Sequence, residues 1–213
     1  MTRDELAGTL VQLRRRVDAH FAAAVARTPA AFNCTAGCAA CCHARFSVFA
    51  VEAAPIQGAL ARLAGADPAV RARVRDQADD PAHADRCALL VDDRCSIYAE
   101  RPLICRSHGL PVLAEPALAG EARVDHCPLN YTAEPPPTAS VLRLDAVNQP
   151  LAMIATLWDA ARSPQEPALN ADRIPLADLA RAADPPSVAS SEPLATAPTP
   201  LDPAPRPAER ARK

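Results

Sequence analysis

The nine residues Cys34-Thr35-Ala36-Gly37-Cys38-Ala39-Ala40-Cys41-Cys42 constrain this chain more than any other stretch, because they carry half of its eight cysteines. Spacings of four, three and one bring the sulfurs to one place whichever way the backbone runs. In a helix, turning about 100° per residue, all four would fall within an arc of roughly 100°. Gly37 makes a loop at least as compatible, since glycine is costly inside a helix and frees a chain to wrap an ion. Crowded thiols pair as disulfides, react, or hold a metal, and a metal is the first reading.

Composition sets the frame for that reading. A chain of 213 residues is long enough for one core and hardly for two. A formal net charge of -2 offers nothing bulk-electrostatic to recruit nucleic acid or an anionic membrane. The start, Met1-Thr2-Arg3-Asp4-Glu5, is charged and has no apolar h-region. No run of about 18 apolar residues follows, so a soluble cytoplasmic protein without membrane or nucleic-acid partners is expected. In that reducing compartment, cysteine clusters read as metal or redox sites before disulfides. Aromatic residues make up only 3% of the chain. Phe32, Phe46, Phe49, Tyr98 and Tyr131 lie in or beside the cysteine interval, with Phe21 and Trp158 flanking it. The core is therefore expected around the cysteines, where a bound metal would supply folding free energy.

Taken in order, residues 2–27 read as a helix. Thr2 and Glu5 fit a capping box, and Leu6, Leu10, Leu13, Val17, Phe21 and Val25 form a stripe at helical spacing. Arg14, Arg15 and Arg16 read as its solvated face, and Pro29 stops it. Arg45–Phe49 alternates like a short strand. A helix is expected from Glu52 to about Ala64 with Gly65 as its stop, and another from the Asp67-Pro68 N-cap to about Gln77. Asp92-Asp93 between short apolar runs suggests a hairpin. Pro102 opens a short helix carrying Cys105 and Arg106. A second hairpin joins Leu110–Leu113 to Ala122–Val124. The spacing from about Ala139 to Arg162 is helical, with Pro150 expected to kink or divide it. A last short helix is expected over about Leu176–Ala182. Beyond Ala183 the chain is rich in Pro, Ala and Ser and poor in large apolar residues.

The second dense stretch runs Cys87-x-Leu-Leu, Cys95-x-Ile-Tyr98, Arg101-Pro102-x-x-Cys105-Arg106. With the Cys34…Cys38..Cys41-Cys42 cluster and Glu52 after it, this order resembles the YkgJ-like cysteine-cluster family, the CxxCxxCC domains named for zinc or iron chelation. The resemblance covers roughly residues 33–131, and the two motifs are specific as a pair. Three residues separate the first two cysteines here, where the family label has two. The resemblance implies metal chelation by a small, mainly helical domain, without an established reaction. A similar region occurs in flagellin lysine methylases, where an iron–sulfur cluster is implied. An iron–sulfur-dependent redox or transferase enzyme is therefore the alternative function.

The expected architecture is mainly α, a cysteine-rich, metal-centred helical domain with one or two short β-hairpins. Residues 1–30 would form an amphipathic helix packing on the core, 31–182 the metal-binding domain with its C-terminal helices, and 183–213 a disordered tail. Zinc takes four N or S ligands in a tetrahedron, and a [4Fe–4S] cluster takes about four thiolates. Eight cysteines exceed one such site. The principal site is expected to use Cys34, Cys38 and Cys41 or Cys42, completed by a downstream cysteine, foremost Cys105. Cys87, Cys95 and Cys127 are left for a second site or as spare structural thiols. Arg101 and Arg106 would offset the negative charge of a thiolate cage through charge-assisted hydrogen bonds. Tyr98 is expected in the core, and His43 and His126 are candidate ligands by adjacency alone. A radical S-adenosylmethionine fold would need a strand before the motif, where a helix and Pro29 stand. A thiol–disulfide oxidoreductase would need Cys38-Ala-Ala-Cys41 at a helix N-terminus in a strand–helix unit. No Ser/His/Asp set, phosphate loop or paired carboxylates suggests separate catalytic machinery.

Overall fold

At the head of the chain the Thr2 hydroxyl accepts from the Glu5 amide, and the Glu5 carboxylate accepts from the Thr2 amide at 2.7 Å. This reciprocal cap opens α1 (Arg3–Arg27). The computed structural model describes residues 1–114, 123–162 and 173–184. Within them α2 spans Ala50–Ala66, α3 Pro68–Asp79, α4 Leu103–Ser107, α5 Asp145–Ala160 and α6 Leu176–Arg181. The strands are short: β1 Ser47–Val48, β2 Leu90–Val91, β3 Arg94–Cys95, β4 Val112–Ala114, β5 Arg123–Asp125, β6 Leu142–Arg143 and β7 Ile174–Pro175. The architecture is mainly α with small hairpins, as expected. No helix among the described residues is long and apolar enough to cross a membrane.

Two apolar clusters hold these elements. In one, Leu6, Leu10, Leu13 and Val17 of α1 meet Leu103 of α4 and Val147, Leu151 and Ile154 of α5. In the other, Ile56 and Leu60 of α2 meet Val74 of α3, Leu89 and Ile97 beside the β2–β3 hairpin, and Leu176 and Leu179 of α6. Helix α2 serves both, since Val51 packs in the first cluster. Cys87 and Cys95 pack against the second.

Several local expectations change in three dimensions. Helix α2 runs through Gly65 and ends at Asp67, whose φ of -146° takes it out of the helical region. The ring of Pro68 forbids an α conformation in the residue before it, so proline rather than glycine ends α2. Residues 139–144 are not helical: Thr138–Ser140 form a 3₁₀ turn and β6 pairs in parallel with β4, Val112 opposite Leu142. Helix α5 continues through Pro150, which lies in its second turn. One missing amide there removes one backbone bond, while the burial of Val147, Leu151 and Ile154 holds the helix on both sides. Arg14 is not solvated but 5% exposed, and donates to Glu100 at 3.0 Å. Tyr98 is not core but 54% exposed, with the Arg101 guanidinium 4.1 Å above its ring. The expected strand over residues 45–49 shrinks to β1, which pairs with the distant β7. From residue 185 onward the expected tail lies outside the described residues.

The β2–β3 hairpin turns on Asp92 and Asp93, at φ 50° and 56°. Two consecutive left-handed residues make the turn whose twist matches a right-handed β-ribbon, and short acids tolerate it better than most side chains. Asp92 is also held by Arg73, at 2.7 and 2.8 Å. Asp93→Gly should therefore raise stability by roughly 0.5–1 kcal/mol, and Asp93→Val should lower it by at least as much. Chemical denaturation of the two variants checks the sign.

Candidate metal centre

Helix α4 carries Cys105 and Arg106, and what aims it is a buried acid. Glu52, 1% exposed in the first turn of α2, accepts the Leu103 amide at 2.9 Å through Oε1. No side chain of α4's own flank caps it, so this remote carboxylate satisfies one of its orphan donors. Arg106 then fastens the same helix from the far side. It donates to Arg101 O at 2.8 Å, to Asp18 of α1 at 2.5 Å, and to Ala99 O.

Cys87 and Cys95 stand at equivalent turns on either side of the hairpin. The Leu89 amide donates to the Cys87 sulfur and the Ile97 amide to the Cys95 sulfur. This accounts for the paired sequence Cys-x-Leu and Cys-x-Ile. Leu89 and Ile97 are buried, and burying each anchors the turn whose amide faces the thiol. Amides aimed at a sulfur favour its thiolate form. Burial works the other way, pushing the Cys87 thiol up to about 11 and raising Cys95 as well.

The end of the cysteine-rich loop is brought to this hairpin by the backbone. The Cys87 amide donates to Cys42 O at 2.8 Å, next to a 3₁₀ turn over Ala40–Cys42. The Cys41 thiol is raised first by its hydrogen bond with Cys42 and then by burial. Cys105 is raised by burial and then by the neighbouring Cys87, Cys95 and Cys41 sulfurs, against the pull of Arg101. Cys41, Cys87, Cys95 and Cys105 thus share one neighbourhood, drawn from three separate stretches. Arg101 faces it, opposing the rise at Cys41 and Cys95 too. Arg106 is engaged with Asp18 and backbone carbonyls instead.

A second neighbourhood forms at the start of the loop. Asn130, 1% exposed, receives the Asn33 amide at 2.8 Å. Its own side-chain nitrogen donates to Gly109 O at 2.8 Å and to the Cys34 sulfur at 3.3 Å. Its amide donates to Cys127 O at 2.9 Å. The Cys34 thiol is raised by burial, relieved by Asn130, and raised again by the Cys38, Cys127 and Cys41 sulfurs. Phe21, Phe32, Tyr131 and His126 line this end as a chain of ring contacts, with centroids 5.2–5.8 Å apart.

The thiols are thus grouped across the chain: Cys41 joins Cys87, Cys95 and Cys105, and Cys127 joins Cys34 and Cys38. His126 directs Nδ1 at Cys127 O, 3.1 Å away, and His43 is exposed. All eight cysteines are free. Among the described residues, no group of three or more His, Cys, Asp or Glu is disposed to hold a metal ion as it stands. The arrangement is a gathering of thiols that side-chain rotation would have to close. The donor set fits the chemistry of zinc and iron, which take thiolates in fours. Asn130, Gly109 and the reach of Glu52 to α4 escape sequence reasoning, because each acts on a partner remote in the chain.

So many free thiols held close to one another make a cysteine-rich domain of the kind that suits thiolate chelation. Residues 33–127 match the model of the CxxCxxCC family, described as "Putative zinc- or iron-chelating domain". The match supports binding of zinc or iron. No curated protein and no solved structure matches the chain.

Gly109 tests the second neighbourhood. Its φ of +95° disfavours any side chain, and a Cβ there would stand 2.6 Å from the Cys34 sulfur. Gly109→Ala should displace Cys34, lower stability by about 1–3 kcal/mol and reduce bound metal. Glu52→Ala should loosen α4 at a similar cost, because the Leu103 amide is left buried without a partner. Thermal unfolding and metal content of the two purified variants, measured side by side, check both effects.

Proposed function

We propose that this protein chelates zinc or iron at two adjoining thiolate sets, one of Cys41, Cys87, Cys95 and Cys105, the other of Cys34, Cys38 and Cys127 completed by Cys42. The observation that carries the reading is the convergence of Cys105 with Cys87, Cys95 and Cys41 from three separate stretches of chain. Cys41 and Cys42 fit different sets because successive residues of a 3₁₀ turn point about 120° apart. Arg101 serves the first set as the fixed positive charge that offsets a net negative tetrathiolate site. Arg106 serves it indirectly, by holding α4 and the 99–101 backbone in place.

Four thiolates hold either a zinc ion or a [4Fe–4S] cluster. Chelation is the favoured role, the ion being structural, stored or passed on. Glu52, the buried acid that follows the first cysteine cluster, is engaged at the head of α4, where it accepts the Leu103 amide. Eight free thiols suit a reducing compartment, and we place the protein in the cytoplasm.

Elemental analysis of the full chain, purified aerobically and anaerobically, tests the reading together with iron, sulfide and zinc counts. We expect about two zinc ions per chain, or about one iron–sulfur cluster with the remaining thiols holding zinc. Cys87→Ser and Cys105→Ser should cause matching losses from one set, and Cys34→Ser and Cys127→Ser matching losses from the other. Metal well below one equivalent in both preparations, or full metal retained in Cys105→Ser, contradicts it. Brown protein with about four irons and four sulfides would instead favour the iron–sulfur enzyme.

A further inference from the structure

Away from the thiols, a cavity of about 390 Å³ opens between α2, α4 and α5. That volume lies in the range of sites for small organic molecules. Its walls are largely hydrocarbon: Leu103 and Ile104 of α4, and Leu144, Val147 and Leu151 at and along α5. Glu52 lines the same space and, among the described residues, is the one acid with a buried side chain.

The pairing of this carboxylate is unlike that of the other buried charged side chains. Arg14 pairs with Glu100, Arg71 with Asp184 and Arg106 with Asp18. Among the described residues Glu52 has no ionic partner, and only Oε1 receives a hydrogen bond, from the Leu103 amide. Oε2 is thus an acceptor with capacity unused, in a place where an unpaired charge is costly. Arg173 also lines the cavity, and its guanidinium is held by Ser47 and Phe49. It donates to Ser47 Oγ at 3.0 Å and Ser47 O at 2.5 Å, and its guanidinium lies 4.7 Å from the centroid of the Phe49 ring.

We propose that this cavity binds a small aliphatic amine, its ammonium on Glu52 Oε2 and its hydrocarbon body along the α4 and α5 walls. An ammonium supplies both the missing charge and the missing donor, and an aliphatic body matches the lining. A carboxylate of the same length would meet Glu52 with like charge, and an alcohol would supply the donor without the charge. The site is independent of which ion the thiols hold.

Calorimetric titration of the full metal-loaded chain with hexylamine, 1-hexanol and hexanoate at neutral pH tests it. Hexylamine should bind about tenfold or more tighter than hexanol, and hexanoate should not bind measurably. Ala152→Trp, at an exposed position on the cavity rim, should fill the space and weaken hexylamine about tenfold or more while leaving metal content unchanged. Glu52→Gln, which keeps an acceptor for Leu103, should erase the preference of amine over alcohol. If Glu52→Gln does not fold, Ala152→Trp and the amine-to-alcohol ratio decide alone. No hexylamine binding, equal binding of hexanol or hexanoate, or binding untouched by Ala152→Trp would each overturn the proposal.

Discussion

The hydrogen bond from the Cys87 amide to Cys42 O joins the two cysteine-bearing stretches of the chain. Neither stretch has enough regular structure to place its sulfurs alone, since one holds a single 3₁₀ turn and the other a hairpin of two-residue strands. Arg45 reinforces the same seam by donating to Ala84 O at 2.7 Å and to His83 O. With the seam in place, Cys41 is carried to Cys87 and Cys95, and α4 need only present Cys105 to complete the group. Had the loop closed elsewhere, Cys41 would stand apart from Cys87, Cys95 and Cys105.

The helices form the stage on which that seam is held. The α1 stripe and α5 bury aliphatic side chains against α4, and ion pairs tie α1 to the 100–106 stretch, with Asp18 3.8 Å from Arg101 as well. Arg14 reaches Glu100, and Asp18 reaches Arg106. Such buried polar contacts add little net stability but are expensive to break, because the partner left behind stays desolvated. They therefore specify where α4 sits more than they strengthen it. An apolar core with so few aromatic residues has modest reserves, and a metal bound by loop thiols would add its binding free energy to folding. Metal and fold are thus linked most directly at the seam, where the sulfurs on loops have the least regular structure around them.

What could be read from the sequence follows the range of each interaction. The α1 capping box, the Asp67-Pro68 helix start and the Asp92-Asp93 turn are local, and each appears in the structure. The Cys-x-Leu and Cys-x-Ile pairs were visible as motif, but the amide each aims at its sulfur was not. Arg14 was misplaced although the signal existed: it stands four residues after Leu10 and three before Val17, on the buried face. Only its partner Glu100, far along the chain, makes that burial tolerable, and no local pattern announces it. Asn130 left no trace at all in sequence, being one polar residue in a loop, yet it binds Asn33, Cys34, Gly109 and Cys127 together. Nearness in sequence suggests Cys34, Cys38 and Cys41 or Cys42 as one set, but which distant thiol faces which is set by contacts such as that of Asn130 with Cys34, which no local pattern encodes. Residues 139–144 misled differently, their helical spacing being overridden by the pairing of β6 with β4.

The central claim is that the cysteine sulfurs, and no other donors, hold the metal in sets of four. X-ray absorption at the metal edge of the natively loaded full chain measures this directly. The account predicts an all-sulfur first shell of about four ligands per metal, at about 2.3 Å for zinc. A first shell containing imidazole nitrogen or carboxylate oxygen, or fewer than about three sulfurs per metal, would contradict it.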